Sequence, residues 1–202
     1  MLKKVLSAAV LLAAVNASAG ENYFANEWDA KGLIAIEGAG SAIDLVYQDT
    51  SVTPNTIIND SAGGGAISLK LGGESKFYRL FLATTYYQFD APQTSSSTAT
   101  SLGVQLDYLI RAGEHFNIFM GVNGGGIYSD FEYTDGTGTI TTESGSDGYG
   151  GVQVGVNIDI VDTLGVELGG RVKHVFSTAD VYTLDNIYEG YASIVFKFTG
   201  EY

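Results

Sequence analysis

The chain has no cysteine. That excludes a disulfide framework, a thiolate nucleophile and any cysteine-held metal. Proline occurs twice, tryptophan once and histidine twice, so only two side chains could serve as a base at neutral pH. Basic residues are also scarce, with 10 Lys and Arg against 23 Asp and Glu and a formal charge of −13. So acidic a chain repels nucleic acid, whose partners need a basic patch. Long apolar runs are missing too. After the first twenty residues nothing reaches the roughly 18 apolar residues of a transmembrane helix. A membrane-spanning chain with this sequence would therefore have to be a closed barrel, because every backbone polar group in hydrocarbon must be paired.

What is abundant points to strands. There are 27 glycines, 13 tyrosines and 10 phenylalanines among the 202 residues. That mix suits strands and turns better than helices. The length fits a single domain or a single closed barrel.

The first residues, MLKKVLSAAVLLAAVNASAG, read as a cleaved export signal. Lys3 and Lys4 precede a short apolar run, and Ala17-Ser18-Ala19 supplies the small-x-small cleavage site. The expected organisation is a signal peptide over 1–19, a short tail over 20–31 carrying Trp28, and a barrel over 32–202. With Lys3 and Lys4 removed, eight basic residues face 23 acidic ones, a formal charge of −15. Much of the excess falls in predicted loops, at Asp130, Glu132, Asp135, Glu143 and Asp147. Those carboxylates serve solubility, or bridge through divalent cations to anionic surface molecules.

Apolar alternation broken by Gly, Ser, Thr, Asp and Asn predicts eight strands, near 32–47, 63–72, 76–89, 99–111, 115–131, 148–160, 164–177 and 186–198. Three connections are short, at Gly73-Glu74-Ser75, Ala112-Gly113-Glu114 and Val161-Asp162-Thr163. Four are longer, near 48–62, 90–98, 132–147 and 178–185. Long and short alternate strictly, which in an up-and-down barrel gathers the long loops at one end. Outer-membrane barrels have that layout.

Each strand has one wet and one greasy face. The wet faces carry Glu37, Lys70, Arg79, Asp107, Glu167, Arg171, Lys173, Glu189 and Lys197. The greasy faces carry Ile67, Leu69, Leu80, Val104, Leu106, Ile118, Met120, Val152, Val154, Leu168, Ile194 and Phe196, with almost no charge. Aromatics bracket the greasy face. Tyr188 and Phe198 share a parity ten residues apart, about 25 Å along the membrane normal at barrel tilt. That height matches the apolar band between aromatic girdles. The greasy face is therefore expected to face lipid and the charges to pair in the lumen. The first strand breaks the rule, since Ile34 and Ile36 have even parity and Ile43, Leu45 and Tyr47 odd parity. A bulge near Gly40-Ser41 would reconcile them.

The alternating end YEGYASIVFKF (188–198), with Phe196 and Phe198, resembles the closing strand of the small eight-stranded outer-membrane barrels, such as the transmembrane domain of outer-membrane protein A and protein X. The resemblance covers 32–202 and rests on pattern. It implies an all-β, eight-stranded antiparallel up-and-down transmembrane β-barrel in the bacterial outer membrane. It also implies assembly by the barrel-assembly machinery, surroundings of outer-membrane lipids and lipopolysaccharide, and a monomer.

For chemistry, His115 falls at a short turn. His174 lies near the outer end of strand seven in KHVFSTAD, with Ser177 three residues on. Residues three apart on a strand point to opposite faces, and the His-x-Ser pattern of lipid A deacylase barrels is broken by Val175-Phe176. The glycine runs 63–65 and 124–126 lack a following Lys-Ser/Thr and precede no helix, so they are not phosphate loops. They are expected to ease curvature or packing. No metal-ligand spacing is present. No catalytic, cofactor-binding or metal residue is assigned. The leading expectation is a non-enzymatic scaffold displaying acidic loops for envelope integrity or surface interaction. The alternatives are a lipid A-modifying enzyme using His174 and a narrow solute pore.

Overall fold

The computed structural model describes residues 31–49, 56–92, 94–134, 139–177 and 182–199. They form eight strands: β1 (Lys31–Asp49), β2 (Thr56–Glu74), β3 (Tyr78–Phe89), β4 (Thr94–Arg111), β5 (Phe116–Thr134), β6 (Ile140–Val161), β7 (Leu164–Phe176) and β8 (Tyr182–Thr199). Each is antiparallel to its sequence neighbours, and β8 returns to pair with β1, closing the ring. Closure leaves no free sheet edge, which is what a strand-built protein needs in hydrocarbon. The expected signal peptide over 1–19 and the tail over 20–30 with Trp28 lie outside the described residues. Lys31, expected to end that tail, opens β1. Tyr202 is also outside, so Phe198 is the last described outward aromatic.

The orientation of the faces follows the parity rule. Ile67, Met120, Val152, Leu168 and Ile194 are each half or more exposed on the outer wall. So continuous an apolar exterior would aggregate in water and is at home in lipid. Tyr188 and Phe198 both point outward, as do the pairs Tyr78 with Tyr86 and Phe116 with Tyr128. They bracket the band as girdles do.

Two expectations are corrected. There is no bulge at Gly40-Ser41. β1 keeps one unbroken register against β2, and its odd residues face inward from Leu33 to Tyr47. Ile43, Leu45 and Tyr47 are buried inside the barrel. The irregularity lies higher, between Ile43 and Leu45, where β8 steps from Ile187 to Leu184. The parity change in β1 thus marks a change in what fills the lumen, not a change of face.

The second correction concerns the long loops. Most of 132–147 is ladder. β5 and β6 pair without interruption from Phe116↔Ile158 to Thr134↔Ile140. β2 begins at Thr56, β4 at Thr94 and β8 at Tyr182. The connections at this end are only 50–55, 90–93, 135–139 and 177–181. Stretches such as TTESGSDG have no apolar alternation to announce a strand. Their ladder is held by backbone pairing rather than by a buried face. β6, with 22 residues, runs about 70 Å at 3.3 Å per residue, far more than a bilayer requires, so the β5–β6 hairpin projects beyond it.

The lumen is layered. At the end with the longer hairpins it holds an apolar plug that includes Ile43, Leu45, Tyr87, Phe131, Tyr182 and Ile187. Charges of both signs fill the middle. Leu33, Ala35, Phe81 and Val195 form a small apolar layer towards the short-turn end.

Candidate functional site

The middle layer is built from inward residues of most strands, three of them from β7. Arg79 of β3 reaches across the ring to Glu167 of β7, and its second Nη lies 3.2 Å from Asp107 Oδ2. Asp107 also accepts from the amides of Gln105, at 2.9 Å, and Gln153. A second knot centres on Glu37, which pairs with Lys70 and Arg171 and accepts from Ser68 Oγ at 3.2 Å. Arg171 Nε is 2.9 Å and Lys173 Nζ 3.2 Å from Glu189 Oε2, and Lys173 also donates to the Tyr87 hydroxyl. Nearer the short turns, Lys197 sits between Glu74 at 3.2 Å and Asp159 at 2.8 Å.

These groups are essentially removed from solvent; Lys70, Arg79, Asp107 and Glu167 are 0% exposed. In the central layer four carboxylates (Glu37, Asp107, Glu167, Glu189) face four cations (Lys70, Arg79, Arg171, Lys173), so it is neutral as a whole. Aromatic rings cushion the cations. The Arg79 guanidinium lies 4.7 Å from the Phe119 centroid and that of Arg171 4.4 Å from Tyr191. Such contacts add to the pairing when desolvated. Every lumen charge expected from parity is here, including all of Glu37, Lys70, Arg79 and Asp107. Sequence reasoning put Gln105 on the wet face beside Asp107 and Glu74 in a short turn, and missed Gln153, Asp159 and the Tyr87, Phe119 and Tyr191 cushions. Parity marked the inward positions but not which of them would meet across the ring.

Inward glycines make the room. A Cβ at Gly169 would meet the Tyr191 ring at 2.5 Å, at Gly103 the Tyr149 hydroxyl at 2.2 Å, and at Gly155 the Phe119 ring at 2.5 Å. Outward glycines such as Gly38, Gly40, Gly63 and Gly190 have nothing within 4 Å.

A three-ring stack closes the upper lumen. Tyr182 lies parallel to Phe131 on one side, at 5.0 Å and 17°, and to Tyr47 on the other, at 5.6 Å and 14°. Phe89 and Tyr133 abut it. The stack comes from the strand ends that the sequence reading assigned partly to loops.

The two histidines stand apart. His115 is exposed at a short turn, where its carbonyl accepts from Asp159 N. His174 faces outward at the upper rim. Its Nδ1 is 3.1 Å from Asn186 Oδ1 and 3.3 Å from Asp185 Oδ1, and its ring meets Phe176 edge-on at 5.2 Å. Asp185 is a carboxylate partner the sequence did not reveal, because the β8 irregularity brings it there. Ser177 donates instead to Asp147, at 3.0 Å.

In structure the chain is similar to Neisserial surface protein A, with a TM-score of 0.60 at 16% identity, covering 82% of this chain and 97% of that one. It also aligns with the N-terminal β-barrel domain of Pseudomonas aeruginosa OprF (TM-score 0.45, 12% identity, 84% of this chain and 99% of that one). A third match is the outer membrane protein AlkL in lipid bilayers (0.47, 14%, 91% and 98%). No protein-family model matches the chain, and no curated protein matches its sequence.

Proposed function

We propose that this barrel, eight-stranded and up-and-down in the outer-membrane manner, is a non-enzymatic scaffold of the cell envelope that presents the acidic β5–β6 hairpin to the surroundings. The observation that carries the reading is the packing of the lumen. A formally neutral layer of ion pairs lies beneath an aromatic stack, which leaves the outside of the barrel and its projecting hairpin as the working surfaces. An eight-stranded ring is just wide enough to be filled by side chains, which counts against a solute pore.

On that hairpin Asp130 and Glu132 point away from the lumen while Phe131 points in. Asp130 accepts from Ser144 Oγ across the ladder at 2.6 Å. Its carboxylates are placed to meet cations, surface polysaccharide or a partner protein, and lipopolysaccharide bridged through divalent cations is the nearest such surface. D130N/E132Q spares Phe131 and Tyr133 and so keeps the aromatic stack. The variant is expected to give the same heat-modifiable band on unboiled gels as the unaltered protein. Surface binding or adhesion of cells carrying it should fall. If the band is kept and every surface phenotype survives, hairpin recognition is wrong.

Catalysis at His174 has less support. The ring has a carboxylate neighbour, but the serine that would complete a hydrolytic set is turned to Asp147. His174→Ala is expected to leave the lipid A acyl pattern of expressing cells unchanged by mass spectrometry. A changed pattern, with the barrel still folded, would favour the enzyme.

A further inference from the structure

Eight Lys and Arg lie beyond the first twenty residues. Five of them, Lys70, Arg79, Arg171, Lys173 and Lys197, are buried in the lumen, each in an ion pair. The other three all stand at the short-turn end: Lys31 at the start of β1, Lys76 in the β2–β3 turn and Arg111 at the end of β4. The opposite end has none, since 44–62, 86–100, 127–150 and 174–188 contain no Lys or Arg. Although acids outnumber bases in the chain, none of these three cations is in an ion pair among the described residues. Unpaired positive charge thus collects at one rim of an otherwise acidic barrel.

Lys76 and Arg111 belong to one patch. Arg111 Nε donates to the Lys76 carbonyl at 3.1 Å and Leu109 N to the Phe77 carbonyl at 2.7 Å, which holds the β2–β3 turn against the end of β4. Phe77, Tyr78 and Tyr108 are exposed beside them, as is Phe116 at the start of β5. Tyr78 meets Tyr108 edge-on at 5.4 Å, and Lys76 Nζ lies 5.3 Å from the Phe77 centroid. The next outward pairs along the wall are Leu80↔Leu106 and Leu82↔Val104. Glu114, in the β4–β5 turn, carries the opposite charge but forms no ion pair with either cation among the described residues. Two cations therefore sit on an aromatic girdle at the foot of an apolar ridge.

We propose that this rim binds an anionic phospholipid of the periplasmic leaflet, with its phosphate at Lys76 and Arg111 and its acyl chains along the Leu80–Leu106 ridge. The short turns of outer-membrane barrels face the periplasm. The leaflet on that side is built of phospholipid, whereas lipopolysaccharide occupies the other. Charge complementarity chooses the occupant. A phosphodiester gains charge-assisted hydrogen bonds from both cations. A zwitterionic headgroup brings its ammonium up against the same two cations, and a net-anionic headgroup carries no such penalty. The inference goes beyond the scaffold reading and is independent of the hairpin's role at the opposite end.

The probes are phosphatidylglycerol and phosphatidylethanolamine with identical chains, added to the detergent-solubilised protein and followed by native mass spectrometry. The unaltered protein should retain phosphatidylglycerol over phosphatidylethanolamine by about fivefold, the worth of one cation at an anionic surface. The preference should shrink as salt is raised, because both cations are exposed. K76Q/R111Q should keep the heat-modifiable band and bind the two lipids equally. Glycerophosphoglycerol, the same headgroup without chains, should not displace the lipid at equal concentration. Equal retention of both lipids by the unaltered protein would overturn the site, as would an unchanged preference in K76Q/R111Q. Displacement by glycerophosphoglycerol would overturn it too, by making the occupant a soluble anion. Loss of the band in K76Q/R111Q would make the two cations part of the barrel's own support and refute a patch open to lipid.

Discussion

Arg79→Ala is expected to cost about 3–5 kcal/mol of barrel stability, because it strands Glu167 and Asp107 in a water-free layer. Arg79 is fully buried and is the link between β3 and the opposite wall. Urea unfolding in lipid vesicles, read by the shift of the heat-modifiable band, measures the loss. Glu167→Gln in the Arg79→Ala background should recover part of it by removing one stranded charge. Arg111→Ala is the control. Arg111 is exposed and makes a single bond to the Lys76 carbonyl, so its removal should stay within about 0.5 kcal/mol. Replacing Arg79, Asp107 and Glu167 together by apolar residues of similar size should be far milder than Arg79→Ala alone, since the cost lies in the unpaired charge and not in the lost pair. If Arg79→Ala unfolds like the unaltered protein, the lumen charges are not closed from water as described.

The second large effect separates two neighbouring glycines. Gly125→Val is expected to abolish the folded band, and Gly126→Val is expected to leave it unchanged. Both belong to the run 124–126 on β5, and only their faces differ. A Cβ at Gly125 points inward to 2.2 Å from the Leu102 carbonyl oxygen and 2.5 Å from Gly103 Cα, which are backbone atoms that cannot swing aside. At Gly126 the nearest neighbour is the Asp147 carbonyl at 3.8 Å, an ordinary contact. Overpacking that side chains can absorb costs about 1–3 kcal/mol. A clash with the neighbouring strand's backbone exceeds that, because the ladder itself must part. Equal folding of the two variants would show that the wall does not close as tightly as described.

Much of this was legible in the sequence. The alternation of Val104, Leu106 and Tyr108 with Gln105 and Asp107 is a property of the extended backbone, which sends successive side chains to opposite faces. Strand number, strand order and the inward position of Arg79, Glu167 or Lys173 follow from that period and from the short turns. The hairpin ends were less legible. Thr141, Thr142, Ser144 and Ser146 bury no continuous apolar face, so no periodic signal marks them as ladder. Glycine gave equal signal at Gly125 and Gly126, although their environments are opposite.

The sequence alone determined that the chain is strand-built, has one greasy and one wet face, and carries its charges on the wet one, because the two-residue period is local. Only closure of the ring decided the rest. It carried Arg79 to Glu167, 88 positions away in the chain, and it packed Ile43, Leu45 and Tyr47 into one cluster with Phe131 and Tyr182. It also aligned Gly40, Gly190 and Gly170 in one row across β1, β8 and β7. Those juxtapositions depend on the stagger between strands and on where β8 slips against Asp44. These are properties of paired strands with no counterpart in any single stretch of chain.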